Sequence, residues 1–381
     1  MALKISKRGG VPPFIVMDVL RAANERAARG GDVLHLEVGQ PGTAAPRAVI
    51  EAARAALEHD RIGYTDATGL PSLRARIARH YAETYGTEID PERVVATTGS
   101  SGGFLLSFLS CFDPGDRVAL AAPGYPAYRN ILSALGIEPV LIETEAAHRF
   151  QPTPDLLERF GGRRDGLILA SPSNPTGTML DRDALAALVA HCQAKDIRLI
   201  SDEIYHGIIY GARAVSALEL SDDAVVINSF SKYFSMTGWR LGWMVLPPDL
   251  LRPVECLAQN LFISPPTLSQ AAGTAAFDCR AELDEYVAAY GRNRALLLKE
   301  LPRAGFDNLA PADGAFYIYA DVTQRTNDSD AFCKRMLAET GVAATPGIDF
   351  DPARGNRFVR FSFAGSEADI AKAVERLKAW R

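Results

Sequence analysis

The feature that most constrains the fold of this chain is an alternation of short apolar runs with helical patterns between about residues 90 and 250. Strands that alternate with helices in this way are typical of a layered α/β structure with a mostly parallel sheet. The runs with strand character are RVVATT, DRVALAAP, EPVLIE, GLILAS, IRLISD, AVVINSF and LGWMVL. We therefore predict a large α/β domain whose mostly parallel sheet is flanked by helices.

The pattern changes after residue 285. A long helix over about 282–302 is followed by the strand-like run AFYIYADV, a helix near 328–340 and the run FVRFSFA. This order predicts a smaller α+β domain that the N-terminal segment joins. The predicted division is an N-terminal arm with part of the small domain at 1–44, a large domain at 45–285 and a small C-terminal domain at 286–381.

Composition excludes several classes of protein. The net charge of −5 and the pI near 5.8 argue against a nucleic-acid partner, and no segment approaches the about 18–20 uninterrupted apolar residues of a membrane span. The five cysteines are scattered and form no C-x-x-C pair, and the six histidines show no H-E-x-x-H spacing. We expect no disulfide framework and no metal site, and we expect a reducing cytoplasm as the location.

Polar residues follow four of the predicted strands at the point where each strand ends. These segments are TGSSGG (98–103), SPSNPTGT (171–178), SDEIYH (201–206) and SFSK (229–232). Ligands of open α/β sheets bind outside the carboxyl ends of the strands. The four loops are therefore predicted to converge on one crevice.

The segment TGSSGG offers backbone N–H groups and hydroxyls at the start of a predicted helix, which suits a phosphate group. Taken alone, the same segment equally suits a plain strand-to-helix turn. It matches neither G-x-G-x-x-G nor a Walker A loop. A nicotinamide-dependent dehydrogenase and a nucleoside triphosphatase therefore receive no support.

Asp202 ends a hydrophobic strand, where an unpaired carboxylate is costly to bury. It suits either a helix N-cap or a charge partner for a cationic ring nitrogen, and Tyr205 could then bond a phenolic oxygen of the same ring. Lys232 is either a solvated loop lysine or a Schiff-base nucleophile whose pKa is lowered by burial or a nearby cation. Arg240 would supply a permanent charge with planar donors for a phosphate.

The run SFSKYFSMTGWRLGW resembles the lysine–arginine signature of class I/II aminotransferases, which are pyridoxal-phosphate enzymes of fold type I in the aspartate aminotransferase superfamily. The resemblance extends in order over nearly the whole chain. Its other blocks are HLEVGQPG, GYTDATGLPSLR, TTGSSGG, APGYPAY, SNPTGT, SDEIY, PADGAFYIY, TPGIDF and FVRFSFA.

The resemblance implies a role for each matching residue around the pyridoxal ring. Lys232 would form the internal aldimine and would then move the proton of the substrate α-carbon. Asp202 would keep the pyridine nitrogen protonated, which makes the ring an electron sink. Asn174 and Tyr205 would bond the phenolic oxygen, and Tyr125 would stack on the ring face.

The resemblance also assigns the phosphate and substrate ends of the site. Tyr64 matches a tyrosine that reaches a phosphate across a dimer interface, which implies a homodimer. Arg360 matches the arginine that binds the substrate carboxylate, with Gly39 and Asn174 close to the substrate. The residues implied to hold the phosphate are Ser100, Ser101, Gly102, Ser229 and Arg240.

The implied reaction is transfer of an amino group from an L-amino acid to a 2-oxo acid. In this family the N-terminal segment closes over the pocket, and Phe14, Ile15 and Val16 suggest an apolar lid, although they equally suit simple packing of the arm. The run NLFISPP offers no second arginine for a side-chain carboxylate. We therefore expect neutral or aromatic donors in preference to aspartate.

Two other functions remain compatible with the resemblance. A C–S β-lyase would use the same lysine, aspartate and arginines, because fold and cofactor do not fix the outcome of the reaction. An effector-binding part of a transcription regulator would need an added DNA-binding module, whereas this acidic sequence begins directly with the aminotransferase-type arm.

Overall fold

The computed structural model describes residues 3–380. The α-helices within them are α1 (Ile15–Ala28), α2 (Arg47–His59), α3 (Pro71–Tyr85), α4 (Gly99–Cys111), α5 (Pro126–Leu135), α6 (Pro154–Arg159), α7 (Arg182–Ala194), α8 (Pro248–Leu261), α9 (Thr267–Ala276), α10 (Arg280–Glu300), α11 (Ser329–Thr340) and α12 (Glu367–Ala379). The strands are β1 (Leu34–His35), β2 (Val94–Thr97), β3 (Arg117–Ala122), β4 (Glu138–Glu143), β5 (Gly166–Ala170), β6 (Arg198–Asp202), β7 (Val225–Ser229), β8 (Gly242–Val245), β9 (Asn308–Leu309), β10 (Tyr317–Asp321), β11 (Val342–Ala343), β12 (Thr345–Pro346) and β13 (Phe358–Ser362).

The central sheet contains seven strands in the order β2-β8-β7-β6-β5-β3-β4. Strand β8 is antiparallel to both of its neighbours, whereas the remaining neighbours pair in parallel. Each of the seven runs that the sequence predicted as strands forms one strand of this sheet. The predicted mostly parallel sheet is therefore confirmed.

Alternate residues of the central strands pack against two different layers of helices. Leu167 and Leu169 of β5 belong to one apolar cluster, which includes Leu185 and Leu188 of α7. Ile168, between them in sequence, belongs to a second cluster on the opposite face of the sheet. Because both faces are covered, the strands read as nearly continuous apolar runs and not as an alternation.

The chain leaves the parallel strands β2, β5, β6 and β7 at one edge of the sheet. Their last residues are Thr97, Ala170, Asp202 and Ser229. Helix α4 begins two residues after β2 ends. This edge is where the sequence placed the four polar loops.

A four-stranded antiparallel sheet in the order β12-β13-β10-β9 forms the centre of the C-terminal part. Strand β1 pairs in parallel with β11, with Leu34 opposite Val342. The predicted boundary between residues 285 and 286 lies within α10. The division into domains stays a prediction.

Asp181 caps α7, because its carboxylate accepts a hydrogen bond of 2.8 Å from the backbone N–H of Ala184. Within residues 3–380, none of the helices combines the length and the apolar character needed to cross a membrane.

Candidate active site

A cavity of about 500 Å³ lies where the carboxyl ends of the central strands face the N-terminal arm and the antiparallel sheet. Its lining combines charged and polar groups from the large sheet with apolar side chains from the arm. The lining residues are Phe14, Val16, Met17, Val38, Gly39, Ser100, Ser101, Tyr125, Tyr128, Ala170, Asn174, Asp202, Ile204, Tyr205, Ser231, Lys232, Thr237, Arg240, Tyr317 and Arg360.

Lys232 follows β7 and reaches into this cavity. Its ammonium nitrogen donates a hydrogen bond of 2.5 Å to the carbonyl of Gly39. Burial lowers the pKa of Lys232 to about 8, and the positive charge of Arg360 adds to this lowering while Asp202 opposes it. A lysine with a pKa near neutrality is partly present as the free amine, which is the nucleophilic form.

Asp202 is the last residue of β6 and is 3% exposed. Its carboxylate accepts a hydrogen bond of 3.1 Å from the N–H of Ile204 and another from the hydroxyl of Tyr128. Burial raises the pKa of Asp202 to about 6, and the bond from Tyr128 opposes that rise. The group is thus a buried carboxylate that faces Lys232 across the cavity.

Arg360, on β13, is buried and clamped between the rings of Tyr317 and Phe350, whose centroids lie 4.3 and 4.8 Å from its Cζ atom. Its Nη1 atom donates to Asn174 Oδ1 at 2.8 Å, and its Nη2 atom donates to the carbonyl of Glu37. Its Nε–H has no partner among residues 3–380. A fixed, buried guanidinium with a free donor is suited to receive a carboxylate.

Tyr205 and Tyr317 form a hydroxyl pair beside Lys232. The two hydroxyl oxygens are 2.7 Å apart, and the ring centroid of Tyr205 is 5.7 Å from the Lys232 nitrogen. A side chain at position 39 would collide with the Tyr317 hydroxyl, so Gly39 is required for this close approach.

The opposite end of the cavity is suited to an anion. Ser100 and Ser101 lie in the first turn of α4, where backbone N–H groups have no partners within the helix. Gly99 has a φ of +74°, and a Cβ atom there would lie 2.6 Å from the guanidinium of Arg240. The guanidinium therefore lies directly against the start of α4.

Three residues that the sequence analysis assigned to the site do not line the cavity. Gly102 faces Thr98 within α4, where a Cβ atom would approach the threonine hydroxyl to 2.5 Å. The Ser229 hydroxyl lies 3.0 Å from that of Ser231, and Ser231 lines the cavity in its place. Tyr64 is 83% exposed on the surface of the protomer.

The arm contributes Phe14, Val16 and Met17, which we call the apolar wall. The ring of Phe14 meets that of Tyr125 edge to face, with centroids 5.6 Å apart. Ile15, which the sequence suggested as part of a lid, is not among the lining residues.

Comparison with known proteins identifies the family. Residues 31–377 match the family described as aminotransferase class I and II. The chain belongs to this family. It is 54% identical to the valine–pyruvate aminotransferase of Mycobacterium tuberculosis, over 100% of this chain and 99% of that protein. It is 33% identical to the (5-formylfuran-3-yl)methyl phosphate transaminase of Methanocaldococcus jannaschii, over 96% of each chain.

Solved structures of aminotransferases show the same fold. The crystal structure of an aminotransferase from Mycobacterium tuberculosis is 53% identical, with a TM-score of 0.98 over 100% of this chain and 99% of that one. The aspartate aminotransferase of Thermus thermophilus with maleate is 31% identical, with a TM-score of 0.92 over 99% and 100% of the two chains. The predicted fold type I architecture is confirmed.

The protein is therefore an enzyme that moves an amino group between an amino acid and a 2-oxo acid. The alternative of a C–S β-lyase receives no support from these comparisons. Members of this family are generally pyridoxal-phosphate-dependent.

The residues of the aminotransferase cavity fit that cofactor. The first turn of α4 together with Arg240 offers donors and positive charge for a phosphate. Lys232 has the lowered pKa that attack on an aldehyde requires, and Asp202 offers a buried carboxylate to a protonated ring nitrogen.

Sequence reasoning missed Tyr128, Tyr317 and Met17 as lining residues of the aminotransferase. Tyr128 lies in the first turn of α5, three residues after the N-cap residue Tyr125, and the two ring centroids are 5.2 Å apart. This spacing of three residues was the available sequence signal. Tyr317 stood in the quoted block PADGAFYIY, but no sequence signal distinguished it from Tyr319.

Proposed function

We propose that this aminotransferase uses pyridoxal 5′-phosphate to transfer the amino group of an apolar L-amino acid to a 2-oxo acid. The observation that carries the proposal is the meeting of Lys232, Asp202 and Arg360 in one cavity. These are the nucleophile, the ring-nitrogen partner and the carboxylate receptor that such a reaction requires.

The residues that would hold the cofactor come from both ends of the cavity. The Asp202 carboxylate would bond the ring nitrogen, Tyr125 would cover one face of the ring, and Asn174 with Tyr205 would bond the phenolic oxygen. Of the residues that the sequence assigned to the phosphate, Ser100, Ser101 and Arg240 line the cavity and would bind it.

When bound, pyridoxal phosphate supplies an electron sink that acidifies the α-C–H bond of the amino acid. The Lys232 nitrogen removes the proton from the substrate α-carbon, because its lowered pKa leaves the free amine available near neutral pH. Arg360 orients the substrate by binding its α-carboxylate, and Gly39 leaves room beside Tyr317. Asp202 would hold a proton on the ring nitrogen of the bound cofactor.

The apolar wall supports a neutral, apolar donor. Its side chains offer no hydrogen-bond partner for a second carboxylate. Among the described residues that line the cavity, the cationic side chains are Lys232, Arg240 and Arg360, and the proposal gives each another role. The similarity to a valine–pyruvate aminotransferase supports a branched aliphatic donor, with pyruvate as a suitable acceptor.

We also propose that the active unit is a homodimer. Tyr64 is 83% exposed, and Ile62, Leu261 and Ile263 are also exposed, at 44%, 47% and 52%. The segment that contains Ile62 and Tyr64 lies next to the one that follows Leu261 and Ile263, because the Thr267 hydroxyl donates to the carbonyl of Gly63 at 2.5 Å. An exposed apolar surface of this kind suits a subunit interface that would carry Tyr64 to the phosphate of the other protomer.

The test is an absorption experiment on the purified protein supplied with pyridoxal phosphate. Amino acids are added singly, without any oxo acid, and conversion of the bound cofactor to its pyridoxamine form is followed. We expect stoichiometric conversion, faster with valine than with aspartate. Continued turnover that releases ammonia would instead indicate a lyase, and faster conversion with aspartate would contradict the proposed donor class.

A further inference from the structure

The first turn of α1 lies over the active-site cavity, yet the arm supplies no side chain to cap this helix. Phe14 occupies the N-cap position and makes no side-chain hydrogen bond to the helix. The first N–H groups of an α-helix have no partner within it, and they need one when the helix end is shielded from water. In this chain the partner comes from the other end of the sequence.

The carboxylate of Asp349 caps α1 from outside the arm. Its Oδ1 atom accepts a hydrogen bond of 3.2 Å from the N–H of Ile15, and its Oδ2 atom accepts one of 3.1 Å from the N–H of Val16. A negative charge at this position also complements the positive end of the helix dipole. Asp349 is 1% exposed, so water does not compete for these bonds.

The turn that carries Asp349 is itself fixed. It is the 3₁₀ turn Gly347–Asp349, which follows β12. Gly347 packs so closely that a Cβ atom would lie 2.5 Å from the carbonyl oxygen of Gly355. The carbonyl of Asp349 accepts a hydrogen bond of 2.6 Å from Arg129 on α5. The cap is therefore anchored to both parts of the molecule.

The two ends of α1 are held in different ways. The C-terminal half packs through Ala23, which is fully buried against Leu337 and Ala343. Among residues 3–380, no apolar cluster includes Phe14, Val16 or Met17, which form the apolar wall at the N-terminal end of the helix. The position of the wall therefore depends on the hydrogen bonds to Asp349.

We infer that Asp349 is a positioning residue that caps the arm helix and thereby holds the apolar wall against the side chain of a branched apolar donor. The inference rests on the proposed function for the class of donor. Alanine carries only a methyl group, so it gains less from contact with the wall than valine does. Loss of the cap will therefore impair binding of valine more than binding of alanine.

The experiment compares Asp349→Ala and Asp349→Asn with the wild-type holoenzyme. Hydrogen exchange measured by mass spectrometry reports on the amides of residues 14–20 without any turnover. We expect exchange there to accelerate by roughly tenfold in Asp349→Ala, in line with the loss of a helix cap, and by less in Asp349→Asn, which keeps one acceptor. The KM for valine should rise several times more than the KM for alanine, with kcat and the cofactor spectrum little changed.

Asp18→Asn is the matched control, because Asp18 lies in the first turn of the same helix but pairs with Arg21 at the surface. It should leave both exchange and the KM ratio unchanged. Unaltered exchange in Asp349→Ala, or an equal rise of KM for the two donors, would overturn the inference. If the wild-type enzyme used neither donor, the proposed function would fail, and exchange alone would decide whether Asp349 caps the arm.

Discussion

Two regions of one cavity are built in different ways. We define the floor as Lys232 and Asp202. Asp202 belongs to the large, mostly parallel sheet, and Lys232 follows strand β7 of that sheet. Asp202 has sheet neighbours on both sides, opposite Ala170 of β5 and Ile227 of β7. The apolar wall stands instead on the first turn of one helix. The comparison indicates that the chemistry is fixed by the sheet, whereas donor selection depends on a few contacts of the arm.

The floor and the apolar wall differ in the number of contacts that must break before their residues can move. Displacing the Asp202 backbone would break sheet hydrogen bonds and disturb buried side chains on both faces. The apolar wall is held instead by the two bonds to Asp349, by the edge-to-face contact between Phe14 and Tyr125, and by the packing of Val16, which is 6% exposed. Substitutions in the floor should therefore abolish or strongly reduce turnover, and those in the wall should change selectivity.

The largest effect is expected for Lys232→Ala. Alanine has neither a nucleophile for the cofactor nor a base for the substrate α-proton, so kcat should fall by at least about 10⁴-fold. The covalent link to the cofactor, detected by borohydride reduction followed by mass spectrometry, should also be lost. Lys299→Ala removes a lysine that is exposed on α10, and it should leave both readouts unchanged. A reducible link that persists in Lys232→Ala would show that another residue is the nucleophile.

A smaller effect on the floor is expected for Tyr128→Phe. The tyrosine hydroxyl bonds the ionised form of Asp202 and so limits the rise that burial causes, which leaves the pKa of Asp202 at about 6. Removing the bond raises that pKa further, and Asp202 becomes protonated at a higher pH. The acid limb of the kcat/KM profile should therefore move to higher pH, by roughly one unit for a bond of about 1.4 kcal/mol.

Tyr319→Phe is the control for Tyr128→Phe, because the Tyr319 hydroxyl is also buried but has no partner among residues 3–380. Its pH profile should match that of the wild-type enzyme. An unshifted acid limb in Tyr128→Phe would show that the hydrogen bond does not control the charge of Asp202.

The sequence alone predicted the floor better than the wall. Asp202 ends a strand and Lys232 and Asn174 follow strands, and strands are recognised from continuous apolar runs such as IRLISD. The wall depends on a contact between residues 333 positions apart, that of Val16 with Asp349, for which no local pattern exists. The bond of Tyr128 to Asp202 spans 74 positions and was missed for the same reason. Local periodicity locates elements, but it does not show which side chains of distant elements meet.

The smallest effect is expected for Val16→Ala in the apolar wall. Val16 is 6% exposed and lines the cavity, so the change removes two methyl groups from the surface that faces the donor. At about 0.8 kcal/mol per buried methyl-sized group, kcat/KM for valine should fall by roughly fourfold if one methyl group contacts the donor and by roughly fifteenfold if both do, and that for alanine should hardly change. Val19→Ala makes the same change on the same helix, but it faces the cluster of Ala23 and Leu337. It should lower the melting temperature without altering the valine-to-alanine ratio. An equal loss of kcat/KM for valine and alanine in Val16→Ala would mean that the apolar wall stabilises the catalytic residues and does not select the donor.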